Sequence, residues 1–230
     1  GSISPKNALL ANRSESTVQI IHKENPYIDF QDQPLLLKML SREGPGLAVG
    51  DVDGDGLDDL FMSAALKDTS YIWIRNKDGS FLKGAAIPQS WEYEQQGSVM
   101  ADFNNDGRLD LYVASGGNEL PLKDGNYQDQ LYLQMEEGMF NLATDRLPKM
   151  MSSTATVNAA DFDGDRDLDL FVGSRLLPGS YPYPGQSYIL ENDNGYFKDV
   201  TASVAPELGD IGLVTSALWT DFDNDGALDL

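Results

Sequence analysis

The chain is predicted to be all-β, built from repeated four-stranded antiparallel units. Three observations predict this. An acidic loop recurs four times, as DVDGDGLDDL from Asp51, DFNNDGRLDL from Asp102, DFDGDRDLDL from Asp161 and DFDNDGALDL from Asp221. The first aspartates lie 51, 59 and 60 residues apart, a period that belongs to stacked or radial repeats. Short β-branched and aromatic runs, separated by turn residues, fill the space between loops, and no long helical periodicity competes with them.

Each unit reads strand, acidic loop, strand, connector, strand, glycine turn, strand. The strands entering the loops are short and rich in small residues: GLAVG from Gly46, GSVMA from Gly97, TVNAA from Thr156 and SALWT from Ser216. Those leaving are apolar: LFMS from Leu60, LYVAS from Leu111 and LFVGS from Leu170. Aromatic hairpins follow from Tyr71, Leu131 and Tyr188, with turns at Gly79, Gly138 and Gly195, each two residues before a Phe. Four strands per repeat is the blade of a β-propeller. The boundaries expected are an extension with a tag remnant (1–16), outer strands of a preceding blade (17–45, from TVQII at Thr17 and YIDF at Tyr27), blades at 46–96, 97–155 and 156–211, and a partial blade at 212–230. Phe103, Phe162 and Phe222, with Val52 in the first copy, recur after the first loop Asp and are expected in the core, as are Phe81, Phe140 and Phe197.

Within each loop, oxygen side chains fall at positions 1, 3, 5 and 9. These are Asp51, Asp53, Asp55 and Asp59; Asp102, Asn104, Asp106 and Asp110; Asp161, Asp163, Asp165 and Asp169; and Asp221, Asp223, Asp225 and Asp229. Alternate spacing on a curled backbone aims these groups inward, and the position-7 carbonyl of Leu57, Arg108, Asp167 or Ala227 supplies a further oxygen. Several hard, anionic oxygens on a flexible loop suit Ca²⁺ better than Mg²⁺. Zinc is disfavoured because the loops hold no His or Cys. Up to four Ca²⁺ are expected. Position 6 is Gly56, Gly107 and Gly226 but Arg166 in the third copy, which would hold an L-residue in a left-handed conformation. An EF-hand is excluded, since position 12 is Met62, Val113 or Val172 rather than Glu.

The formal net charge is −21, and seventeen of the 37 carboxylates sit in the four loops. The acidity is therefore concentrated at sites, and it argues against nucleic acid and anionic membrane surfaces as partners. No membrane span or signal peptide is visible. Without cysteine, disulfides and thiolate chemistry are excluded. Loops of this kind in extracellular modules bind with dissociation constants of roughly 10⁻⁴–10⁻³ M, so a calcium-rich, extracytoplasmic setting is expected. The single His22 lacks partners for a triad or metal site and reads as structural, and Glu92, Glu94, Glu119 and Glu207 form no recognisable catalytic pair.

The DxDxDGxxD loop followed by an apolar strand, set in this blade pattern, resembles the FG-GAP/VCBS repeats of integrin α-subunits and many bacterial surface proteins. GPGLAVGDVDGDGLDDLF, SYILENDNGYFKDVTASVAP and VTSALWTDFDNDG are closest to bacterial members with cartilage-acidic-protein-like, ASPIC-associated architecture. The resemblance spans roughly residues 27–230. It implies a β-propeller, often seven-bladed, with Ca²⁺ in the hairpin loops and a binding or adhesion role. The expected function is thus a non-enzymatic, calcium-stabilised module for a protein or glycan ligand, joined to further blades or domains of a longer chain. The alternatives are a carbohydrate-active enzyme segment and a purely structural spacer. Recognition tends to sit on variable loops of a rigid scaffold. Asn118, Tyr127, Tyr181 and Tyr183, on the long connections opposite the acidic loops, are therefore the expected contacts.

Overall fold

A computed structural model describes residues 20–230 apart from 123, 124 and 137. The Gly1-Ser2 remnant, the extension to residue 16 and the start of the strand expected from Thr17 lie outside the described residues. Among the described residues, twelve strands form three antiparallel sheets, each ordered as its strands follow in sequence. The first contains β1 (Leu47–Gly50), β2 (Asp59–Met62), β3 (Tyr71–Arg75) and β4 (Phe81–Ala86). The second contains β5 (Gln95–Ala101), β6 (Asp110–Ser115), β7 (Gln130–Glu136) and β8 (Met139–Leu142). The third contains β9 (Ser153–Ala160), β10 (Asp169–Leu176), β11 (Tyr188–Asp193) and β12 (Tyr196–Asp199). The only α-helix among the described residues is the single turn α1 (Thr201–Val204).

The sheets stack face to face in chain order, with β1 beside β5 and β5 beside β9. Side-chain alternation on the middle strands makes this possible. In β6, Leu111 and Val113 join a core with Phe61 and Ile72 of the first sheet, together with Tyr132 of the neighbouring β7. Tyr112 points the other way, into a core with Leu170, Val172 and Leu190 of the third sheet. A strand covered on both faces needs apolar residues at every position, which is why LYVAS and LFVGS read as continuous runs. Phe103 and Phe197 meet edge to face across this second core, with centroids 5.6 Å apart.

Two strand expectations are corrected. Tyr27–Phe30 is not an outer strand: the chain is irregular from residue 20 and enters a short 3-10 turn at Asp29–Gln31. Here Asp29, fully buried, accepts hydrogen bonds from the backbone and hydroxyl of Ser41 instead of pairing in a sheet. SALWT at 216–220 also forms no strand beyond one bridge between Thr220 and Asp229, because the segment that corresponds to its partner β2 contributes only Asp229 and Leu230. Its Trp219 stacks on Phe162 at 6.0 Å. Phe222, expected in the core, is 83% exposed, since no further sheet among the described residues packs over it as the following units cover Val52 and Phe103.

Candidate metal centres

Loops one to three each join the first two strands of a unit, loop four lies between the bridged Thr220 and Asp229, and the four share one backbone curl. Position 4 is left-handed at Gly54, Asn105, Gly164 and Asn224, with φ of 76°, 57°, 83° and 61°. Position 6 is left-handed at Gly56, Gly107, Arg166 and Gly226. Arg166 holds φ 82° despite its Cβ, and its N–H still donates to Asp161 Oδ2 at 3.1 Å, as Gly56 donates to Asp51 Oδ2 at 2.8 Å. The alternation of Gly and Asn at position 4, residues that tolerate this conformation, is a signal the sequence reading passed over.

The curl turns the acidic side chains inward. The position-5 amide donates to position 3 in every loop: Asp55 to Asp53, Asp106 to Asn104, Asp165 to Asp163 and Asp225 to Asp223. Three loops bring three carboxylates together with one oxygen of each within 4.8 Å of the others: Asp51, Asp53 and Asp59; Asp161, Asp163 and Asp169; Asp221, Asp223 and Asp225. Oxygens on opposite sides of a calcium ion, each at about 2.4 Å, are separated by about the same span, so the donor set fits a hard cation. Loop two is different. It has Asn104 in place of an aspartate, and its Asp106 is paired with Arg108.

Position 9 has a second role. Asp59, Asp110 and Asp169 are at most 1% exposed. Each accepts one backbone N–H from its own loop, from Val52, Phe103 or Phe162, at 3.0–3.1 Å. Each accepts another from the third strand, from Arg75, Gln134 or Asn192, at 2.8–2.9 Å. Burial, and then the neighbouring aspartates, push these carboxyls up, Asp110 and Asp169 to about 6, while the two N–H donors pull them down.

The opposite end of the sheets differs from expectation. Residues 20–45 cross it and are tied down at several points. Asn25 donates to both oxygens of Glu119 at 2.7–2.8 Å, Ser41 Oγ accepts from the Asn118 N–H at 2.9 Å, and Gln33 Oε1 accepts from the Tyr181 N–H at 2.9 Å. Asn118 is 5% exposed, and its side-chain oxygen accepts from Gly179. Tyr127 is 1% exposed and donates its hydroxyl to Leu120 O. Neither presents a surface to a partner, because the crossing segment and their own loop bury them. Tyr181 packs against Leu36, Leu40 and Leu176. Tyr183 alone of the four is exposed, at 69%.

Glu94 and Glu119 lie beside each other under this segment, and burial raises both. Glu94 is 2% exposed and anchored by the Leu66 N–H at 2.7 Å, while Glu119 is half-buried and held by Asn25. His22 is likewise a structural contact, 2.8 Å from Glu24.

No helix among the described residues is long and apolar enough to cross a membrane. The chain is similar to cartilage acidic protein 1 of Xenopus tropicalis, 28% identical over 196 residues, covering 81% of this chain and 28% of that protein. It is similar to the human protein of the same name, 29% identical over 201 residues, covering 81% and 27%. The mouse protein gives 29% over 201 residues, covering 81% and 28%. The chain thus spans little more than a quarter of the length of the curated relatives it matches. Two overlapping stretches, 51–113 and 102–172, match the family described as FG-GAP-like repeat. Each begins at the first aspartate of one loop and ends in the strand that leaves the next, so the matched unit is the loop and sheet described above. Together they cover more than half of the chain: it belongs to the FG-GAP-like repeat family.

Proposed function

We propose that the chain is a calcium-stabilised, non-enzymatic interaction module of an extracytoplasmic protein, its sheets forming blades of a β-propeller that binds a protein or glycan partner. The observation that carries the reading is the convergence of three carboxylates within 4.8 Å in three separate loops, through positions 1, 3 and 9 in loops one and three and positions 1, 3 and 5 in loop four. Asp51, Asp53, Asp55 and Asp59, and their counterparts in the other loops, would hold the ion, with the carbonyls of Leu57, Arg108, Asp167 and Ala227. Bound Ca²⁺ would neutralise the clustered charge and lock the hairpin between the first two strands, so the sheets can stack. Relatives named for cartilage and acidity suit an extracellular, acidic module. The exposed Tyr183, between Pro182 and Pro184 on the β10–β11 connection, is the remaining contact candidate at the end opposite the loops.

The test is thermal melting in Ca²⁺, in Mg²⁺ and with a chelator. A ligand that binds only the folded state at a hundredfold excess over its dissociation constant adds about 2.7 kcal/mol per site. Chelation should therefore lower the melting temperature by several degrees, and Mg²⁺ should restore little of it. An unchanged melting temperature would overturn the calcium assignment. Tyr183→Ala should weaken partner capture while leaving the calcium-dependent melting intact.

A further inference from the structure

The sheets connect consecutive acidic loops through two buried amide side chains. Asn192, in β11, donates its backbone N–H to Asp169 of loop three at 2.9 Å. Its side-chain Nδ2 reaches the neighbouring unit and donates to the Phe103 carbonyl of loop two, also at 2.9 Å. Its Oδ1 accepts the Gly195 N–H at 2.8 Å, which fixes the amide orientation. One unit earlier Gln134 repeats the pattern. Its N–H donates to Asp110 of loop two at 2.9 Å, and its Nε2 donates to the Val52 carbonyl of loop one at 2.6 Å. The chain of contacts is continuous, because the Phe103 N–H donates to Asp110 and the Val52 N–H donates to Asp59. Every residue in it is at most 4% exposed, so no water substitutes for a missing donor, and hydrogen bonds in such a chain polarise one another.

We infer that Gln134 and Asn192 are positioning residues that couple neighbouring loops, so that cation binding at one loop raises affinity at the next. This rests on the loops being cation sites. Ordering of loop two fixes Asp110, and Asp110 fixes the Gln134 backbone. The Gln134 amide then holds the peptide at position 2 of loop one in its bound arrangement. An ion arriving at loop one meets a loop that is already ordered, and that is positive cooperativity without a change of fold. Arg75 takes the same place in the first sheet, and its N–H donates to Asp59 at 2.8 Å. Its own side chain is exposed, as expected where no earlier described loop exists to be held.

The experiment follows the Gly107 amide of loop two by two-dimensional NMR during Ca²⁺ titration of the full chain. Coupling is reciprocal, so disabling loop one must weaken loop two by the same factor. Asp53→Ala, which disables loop one, should reduce the affinity reported by Gly107 on the order of tenfold. In the Gln134→Leu background the same change should have no effect. Gln134→Met, nearer in length, replaces Gln134→Leu if the latter does not fold. The proposal is overturned if Asp53→Ala leaves the Gly107 titration unmoved when Gln134 is present, or if its effect persists undiminished without Gln134. A chain whose Gly56 and Gly107 amides both ignore Ca²⁺ would overturn the cation reading itself, a separate outcome from a titration with independent sites.

Discussion

Asp53 and Asn104 hold the same place in loops one and two and make the same contact, accepting the position-5 amide at 3.1 and 3.0 Å. They differ by one charge, and ligand charge tunes calcium affinity. Asp53→Ala and Asp223→Ala should each abolish saturable Ca²⁺ binding at their own loop. Asn104→Ala should cost less, as read by the calcium-dependent shift in melting temperature. Asn104→Ala proving the most damaging of the three would refute the charge argument. Arg166 keeps the loop contact of a glycine at φ 82°, so Arg166→Gly should relieve about 1 kcal/mol of strain; a loss of loop-three affinity would reveal a contact made by the Arg side chain. Asp129 is a different kind of acid. It is 2% exposed, accepts the Ser115 N–H at 2.7 Å and the Tyr112 hydroxyl at 2.8 Å, and burial pushes its carboxyl to about 7. Because the folded value is raised, the protonated form favours folding. Its contribution is complete below the unfolded value of about 3.9 and is lost as pH rises through about 7. Asp129→Asn should therefore flatten the fall in stability between pH 4 and 8 relative to the parent, measured by urea midpoints; an unchanged pH profile would show that Asp129 is charged in the fold.

At the scale of the element, one motif position has four fates. Val52 is 4% exposed, Phe103 is fully buried, Phe162 is half-buried against Trp219, and Phe222 is 83% exposed. The residue type is the same or similar, and the difference is what the following unit packs against it. Phe103→Ala opens a cavity beside Phe197 and should cost roughly 3–5 kcal/mol. Phe222→Ala should stay within about 0.5 kcal/mol, as for other surface changes. Equal losses in chemical denaturation would mean that the fourth hairpin is packed in solution. SALWT is a parallel case: its apolar pattern matches that of a first strand, but a strand needs a partner of matching length, and here only Asp229 pairs, with Thr220.

For the whole molecule, the two ends of the sheets are unlike. One carries the acidic loops, and the glycine turn of the third sheet joins it, where the Asn194 N–H donates to Asp167 at 2.8 Å. The other is crossed by residues 20–45, through contacts that reach all three sheets. Ser41 is central to that cover, since it donates to Asp29 and accepts from Asn118. Ser41→Ala removes one of the two hydrogen bonds that Ser41 gives the buried Asp29 carboxylate and leaves the buried Asn118 N–H without its acceptor, at about 1–3 kcal/mol. It should also speed hydrogen exchange at the Asn118 amide. An amide equally protected in the variant would show that the segment is held elsewhere.

The local features were legible in the sequence. The acidic loops, their left-handed sixth position including Arg166, the glycine turns at Gly79, Gly138 and Gly195, and the strand pairs on either side are all set by neighbours within a dozen residues, where steric and hydrogen-bond rules act through the chain itself. Only the tertiary structure decided the rest. The double role of Asp59, Asp110 and Asp169, the amide bridges of Gln134 and Asn192, the burial of Asn118 and Tyr127, and the meeting of Glu94 with Glu119 join residues tens of positions apart. They depend on sheets being stacked in register and on residues 20–45 lying across them. The repeat itself specifies what a single unit is; contacts between units are satisfied or left open by whatever packs beside each one, and that information is not carried by any one stretch of the chain.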